Sequence, residues 1–151
     1  MSFKELLEKS RLMDKEQIKI SFEQPLYYVD SERNFVKCTL KGVMRIPKTV
    51  AGQYGFPEEV KVVSHTTAVC KEGDVFSPER GKKIAVARCE MKTYQKCADK
   101  LVKAWRRAND VRVEFLDFPA HPTLNNTINR FVAKAYGCVG HNKRYIAEIG
   151  G

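Results

Sequence analysis

In the stretch IKISFEQPLYYV, Ile18, Ile20 and Phe22 alternate with Lys19, Ser21 and Glu23. A period of two predicts a half-buried strand. Pro25 supplies no ladder donor, so it breaks or bulges that strand. The alternation returns in FVKCTLKGVMRI, where Val36, Cys38, Leu40, Met44 and Ile46 share a face. Gly42 within it marks a bulge or a close approach of backbone. VKVVSHTTAVC predicts a third strand, with Val60, Val62 and the Thr-Thr-Ala-Val run after His65. Ahead of the strands, Ser2 and Glu5 form a capping-box pattern, and Phe3, Leu6 and Leu7 begin an apolar stripe. Together they predict a helix over roughly 2–13. PKTVAGQYGFPEE, rich in Gly and Pro, reads as a long loop.

The period then changes to that of a helix. Ile84, Ala87, Met91, Tyr94, Ala98, Leu101, Trp105 and Ala108 recur at three- and four-residue steps. Ser77 suits the N-cap, Pro78 the first helical position, and Glu79 the dipole. Asn109-Asp110 predicts the end. Beyond it, VRVEF alternates as a fourth strand would. Thr123 caps a second helix carrying Leu124, Ile128, Phe131, Val132 and Ala135 on one face, with Gly137 where a C′ glycine belongs. RYIAEI reads as a short strand. The order implies a single α+β domain over residues 1–151. Its core is a three- or four-stranded antiparallel sheet, with a long amphipathic helix and a second C-terminal helix packed on one face.

Composition narrows the class. The chain has 151 residues, 43% hydrophobic and 30% charged, which suits a globular domain. No apolar run approaches the ~20 residues that span a bilayer, and MSFKELLEKSRLMDKE lacks the apolar core of a signal peptide. A cytoplasmic protein without membrane partners is expected. Cys38, Cys70, Cys89, Cys97 and Cys138 are odd in number and contain no C-x-x-C, so they read as buried, reduced thiols. His65, His121 and His141 lie far apart, and their spacing predicts neither a metal nor a cofactor. G-x-S-x-G and H-E-x-x-H are absent. No catalytic residue is nominated; His65, among threonines, reads as a strand residue.

Charge is the most informative bulk property. The formal net charge is +9, and between Glu79 and Arg107 ten basic residues face three acidic ones. Lys92, Lys96, Lys100, Lys103 and Arg107 form a ridge at four- and three-residue steps. Like charges at that spacing disfavour a helix by a few tenths of a kcal/mol each. A solvated face and an anion-binding face both account for the ridge. At the helix start, Lys82 and Lys83 oppose the dipole, and Gly81 leaves room for close backbone approach. These three make a candidate phosphate seat, although Glu72, Asp74 and Glu79 can instead neutralise the lysines. It is not a P-loop. DFPAHPTLNNTINR gathers His121, Asn125, Asn126, Asn129 and Arg130, with Phe115 or Phe118 able to stack on a base. Helix capping and loop stiffening explain the same residues.

The order helix–three strands–helix with GKKIA opening the last helix resembles the double-stranded RNA-binding domain over roughly residues 3–105. That resemblance implies phosphate contacts by Lys82 and Lys83, with Arg88 as a neighbour. Residues 68–88 also resemble a segment of small phage-encoded proteins, through Gly73, Asp74, Phe76, Glu79, Gly81, Lys82, Lys83, Ile84, Ala85 and Arg88. This second resemblance implies an oligomeric, non-catalytic sponge for a nucleotide immune signal, of the Thoeris or CBASS inhibitor type, in host cytoplasm. The expected ligand-binding residues are Gly81, Lys82, Lys83, Arg88, Phe76, Asn125, Asn126 and Arg130. The expected partner is a small anionic nucleotide, with nucleic acid on the basic helix face as the alternative and a small nucleotide-directed enzyme as a second. The acidic turn favours a bounded pocket, and the ridge favours a polyanion. The apolar helix face ending at Trp105 is divided between core packing and a homo-oligomer interface.

Overall fold

The computed structural model describes residues 2–5, 17–114 and 122–150, with side chains described except at 53, 108–114 and 122–126. The elements are β1 (Lys19–Phe22), β2 (Leu26–Asp30), β3 (Phe35–Arg45), α1 (Lys48–Tyr54), β4 (Glu59–Val69), α2 (Pro78–Glu114) and α3 (Pro122–Glu148). The four strands make one antiparallel sheet centred on β3. β1 and β2 lie end to end along one edge of β3, with Ile20 opposite Met44 and Tyr27 opposite Cys38. β4 covers the other edge over eleven unbroken pairs from Phe35–Val69 to Arg45–Glu59. The chain is therefore α+β, with a four-stranded antiparallel sheet, a long helix and a C-terminal helix.

Pro25 sits between β1 and β2, so it breaks the predicted strand in two and interrupts that edge of the sheet. Asp30 turns β2 into β3: its Oδ1 accepts the amides of Glu32 and Arg33, and Asn34 takes the left-handed conformation (φ 55°). The uninterrupted β3–β4 register excludes a bulge at Gly42. The glycine instead admits the Phe22 ring, which lies 3.2 Å from where a Cβ would stand.

α2 lies along β3 and β4 on one small-residue line. Gly81, Ala85, Cys89, Thr93 and Cys97 follow at four-residue steps, and all but the glycine have no exposed surface. Small side chains let the helix approach the sheet closely. Thr66 Oγ1 donates to the Ala85 carbonyl (2.6 Å), and Ser64 Oγ meets Thr93 Oγ1 at 2.9 Å. α3 packs against α2, and buried Asn142 donates from Nδ2 to the Ala87 carbonyl (3.3 Å) and to Glu90 Oε2 (3.2 Å). Two apolar clusters result. Met44, Leu101 and Phe131 centre one, and Val36, Leu40 and Ile146 the other. Odd-numbered residues of β3 and β4 point away from the helices, and no described element packs on that face.

Several expected elements differ. PKTVAGQYGFPEE holds α1, because Val50, Ala51 and Tyr54 return to one face and enter the core. Asn109-Asp110 does not end α2, and Val111–Glu114 is helix; the predicted strand VRVEF does not form. Gly137 lies inside α3, not past its end, and RYIAEI is helical through Glu148. Phe131, Ala135, Val139, Asn142 and Ile146 carry one buried face straight past the glycine, and tertiary packing overrides its weak propensity. The capping box is present: Ser2 N–H donates to Glu5 Oε2 and Glu5 N–H to Ser2 Oγ. Most of the predicted first helix, like His121, Phe115 and Phe118, falls outside the described residues. No helix among the described residues is long and apolar enough to cross a membrane.

Candidate ligand-binding site

A hollow opens where β4 ends and α2 begins. Its walls are Val69, Cys70 and Lys71 after the strand, Asp74 and Phe76 in the turn, and Arg80, Gly81 and Arg88 on the helix, with Gly150 closing one side. The turn is built by Gly73, whose φ of 91° needs a residue without Cβ, and by the Asp74 amide donating to the Lys71 carbonyl at 3.1 Å. Cys70 Sγ donates toward the Lys71 and Asp74 carbonyls (3.5 and 3.4 Å), which ties the thiol into the turn.

The start of α2 attracts anions less through its backbone than its sequence implies. Pro78 has no N–H, and Ser77 Oγ accepts the Arg80 amide at 3.3 Å. The Gly81 amide is in the first helical bond, to the Ser77 carbonyl (2.9 Å). Positive charge at the hollow thus comes chiefly from side chains. Arg80 and Arg88 stand eight residues apart, two helical steps of four on either side of Ile84. Arg88 is oriented by one bond, Nη1 to the Thr67 carbonyl at 3.1 Å. That leaves most of its five donors for other partners.

The expected ligand residues separate into groups. Phe76, Gly81 and Arg88 share the hollow. Gly81 has a structural duty as well, since a Cβ there would lie 2.6 Å from Val36 Cγ2. Lys82 and Lys83 do not line the hollow. Lys82 leans the opposite way across the helix, its Nζ 5.4 Å from the Tyr27 ring centre, and Lys83 is exposed. Arg130 lines a separate hollow with Gln17, Thr127 and Lys134. It is twenty residues from Gly150 along α3, about 30 Å at the helical rise. The side chains of Asn125 and Asn126 lie outside the described residues. Arg80 and Lys71 were not nominated from sequence. A signal existed for Arg80: it shares the Ile84–Arg88 line of the helix, whereas Lys82 projects about 200° away.

The first two members of the basic ridge, with Arg88 one turn before them, have a defined geometry. Arg88, Lys92 and Lys96 donate to the carbonyls of Thr67 (3.1 Å), His65 (2.9 Å) and Val63 (3.2 Å). Four residues of helix rise about 6 Å and two residues of strand about 6.7 Å, so the rows stay in step. These carbonyls face away from β3, on the free edge of β4. The ridge therefore covers an edge that would otherwise template pairing with another chain.

A cysteine and a histidine come together between the two long helices. Cys138 and His141 share a groove between α2 and α3 with Glu90 and Tyr94. Burial, reinforced by Cys138 and Glu90, pushes the Tyr94 phenol up to about 12, so it stays protonated. Among the described residues no cluster of three or more His, Cys, Asp or Glu is arranged to hold a metal. No protein-family model, curated protein or solved structure matches this chain.

Proposed function

We propose that this protein is a non-catalytic binder of a compact, phosphate-bearing ligand, a nucleotide, at the head of α2. The observation that carries the reading is the meeting of Arg80 and Arg88 on one hollow beside Lys71. Guanidinium groups match phosphate oxygens in a planar, bidentate manner. Phe76, Ile84 and Val69 add apolar wall for a base or ribose. Asp74 on the rim limits the positive field to a small area, which favours a single nucleotide over a continuous polyanion. Sequestration of a nucleotide immune signal is the finer form of the proposal, and it rests on the resemblance of residues 68–88 to phage-encoded segments. The cytoplasmic setting and homo-oligomeric state belong to the same proposal. Polyanion binding by the helix ridge is less favoured, because Lys92 and Lys96 already serve the β4 edge.

Titration calorimetry with a panel of linear, cyclic and ADP-ribose-type nucleotides tests the site. Binding of one of them should weaken at least tenfold in Arg80→Ala and in Arg88→Ala, and should be unchanged in Lys83→Ala. If Lys83→Ala is as damaging as Arg80→Ala, or no nucleotide binds, the assignment is wrong. Chromatography of the ligand recovered after denaturation separates binder from enzyme: an intact nucleotide supports the proposal, and a converted one opposes it.

A further inference from the structure

A further concentration of positive charge is on the uncovered face of the sheet. Lys37 and Lys41 on β3 and Lys61 on β4 point outward, away from the helices. At one end Tyr28 stands beside Lys37, and its ring lies 6.2 Å from that of Phe35, tilted by 40°. Tyr28 keeps 60% of its surface exposed. The Lys37 ammonium sits 5.5 Å from the centre of the Phe35 ring. Next along the face, Thr39 Oγ1 and His65 Nδ1 are hydrogen-bonded at 3.0 Å. Carboxylates are sparse and mostly engaged. Asp30 is committed to its turn, and Glu59 lies 3.7 Å from Arg45. Glu23 is the exception, sharing a shallow hollow with Lys41 and Lys61.

A solvated sheet face normally mixes charge signs and hides large rings. Here an exposed aromatic step leads into a row of ammonium groups along strands of eleven residues. Lys37 and Lys41 are about 13 Å apart at the strand rise, with His65 and Thr39 between them. Rings lying open on a face can stack only on bases that are unpaired, and spaced cations beside them neutralise backbone phosphates. From this we infer that the outer face of the sheet binds single-stranded nucleic acid. A base stacks on Tyr28, and the strand runs across β3 past Lys37, Lys41 and Lys61. This surface is separate from the hollow at the head of α2 and uses none of its side chains.

Fluorescence anisotropy with a labelled mixed-sequence single-stranded 12-mer, as RNA and as DNA, tests the inference on the full chain. With three phosphates neutralised, the salt slope is about −0.7 per contact, so affinity should fall about 20-fold from 50 to 200 mM salt. Lys37→Glu/Lys41→Glu should weaken binding more than tenfold and Tyr28→Ala several-fold, while Glu23→Lys tightens it. Arg80→Ala should leave it unchanged, which separates this surface from the nucleotide site. All four positions changed on the sheet are exposed, and circular dichroism verifies that the variants fold. The inference is overturned if the oligonucleotide does not bind or if a duplex of equal length binds as tightly. It is also overturned if the sheet variants bind like the parent, or if Lys37→Glu/Lys41→Glu only dissolves a dimer.

Discussion

Replacing Gly81 by alanine is the sharpest probe of how α2 meets the sheet. In most helices the change stabilises, since glycine is about 1 kcal/mol worse than alanine in a helix interior. Here the added methyl would stand 2.6 Å from Val36 Cγ2 and 3.3 Å from Val36 Cβ. Val36 has no exposed surface, and its β-branched side chain has little rotamer freedom. Relief requires shifting the helix or the strand, and overpacking of this kind costs about 1–3 kcal/mol. The propensity gain is smaller than its interior value so near the helix start. The net expectation is a loss of about 1–2 kcal/mol, or about 3–6 °C in Tm for a chain of this size. Gly137→Ala is the matched control. It lies inside α3, where an added methyl would have no neighbour within 4 Å, and the change should gain up to about 1 kcal/mol. Urea denaturation of both variants gives the two signs directly. Combining Gly81→Ala with Val36→Ala should be less damaging than the sum of the single changes, by about 1–2 kcal/mol, because the new methyl enters vacated space. If Gly81→Ala stabilises as Gly137→Ala does, the close approach of α2 to β3 is wrong.

Thr93→Val should cost about 1–3 kcal/mol by stranding the buried Ser64 hydroxyl, and adding Ser64→Ala should recover most of it, as read by the same denaturation assay. Lys92→Met/Lys96→Met keeps the alkyl stems but removes two bonds to the β4 edge. It should lower stability by roughly 1 kcal/mol and shift light-scattering mass upward; unchanged mass and stability would show that the edge is not protected this way. Alkaline stability follows from the thiols. Burial pushes Cys97 up to about 11 against the opposing pull of Lys100 and Lys96, and pushes Cys38 up to about 12. The unfolded chain therefore releases these protons first, near pH 9, while the folded chain retains them. Their contribution is complete below about pH 9 and is lost as pH rises toward 11–12. The denaturation midpoint should fall through that window and fall less in Cys97→Val, whereas a flat profile would contradict the burial of these thiols.

What the sequence determined by itself was the set of local preferences. Period-two alternation identified β1, β3 and β4. Ser77-Pro78-Glu79 identified the start of α2, and Pro25 the break in the edge strand. These signals are carried by neighbouring residues and need no knowledge of what lies opposite. Only the tertiary structure decided which partner each surface meets. Val111–Glu114 has a strand's alternation, yet it continues the helix. Gly137 resembles a helix terminus, yet buried residues on either side hold the helix through it. Gly81 looked like room for a ligand, and the room is filled by Val36. The basic ridge was divided between a solvated face and an anion track. Two of its five members, Lys92 and Lys96, cover the edge of β4, because four residues of helix and two of strand advance by nearly the same distance. Candidate ligand residues separated for the same reason. Lys82 and Lys83 adjoin Gly81 in sequence, but the turn of about 100° per residue carries them off the hollow that Arg80 and Arg88 share. Sequence proximity is a poor guide to a shared site on a helix, and the direction in which a side chain leaves it is settled only by what the helix packs against.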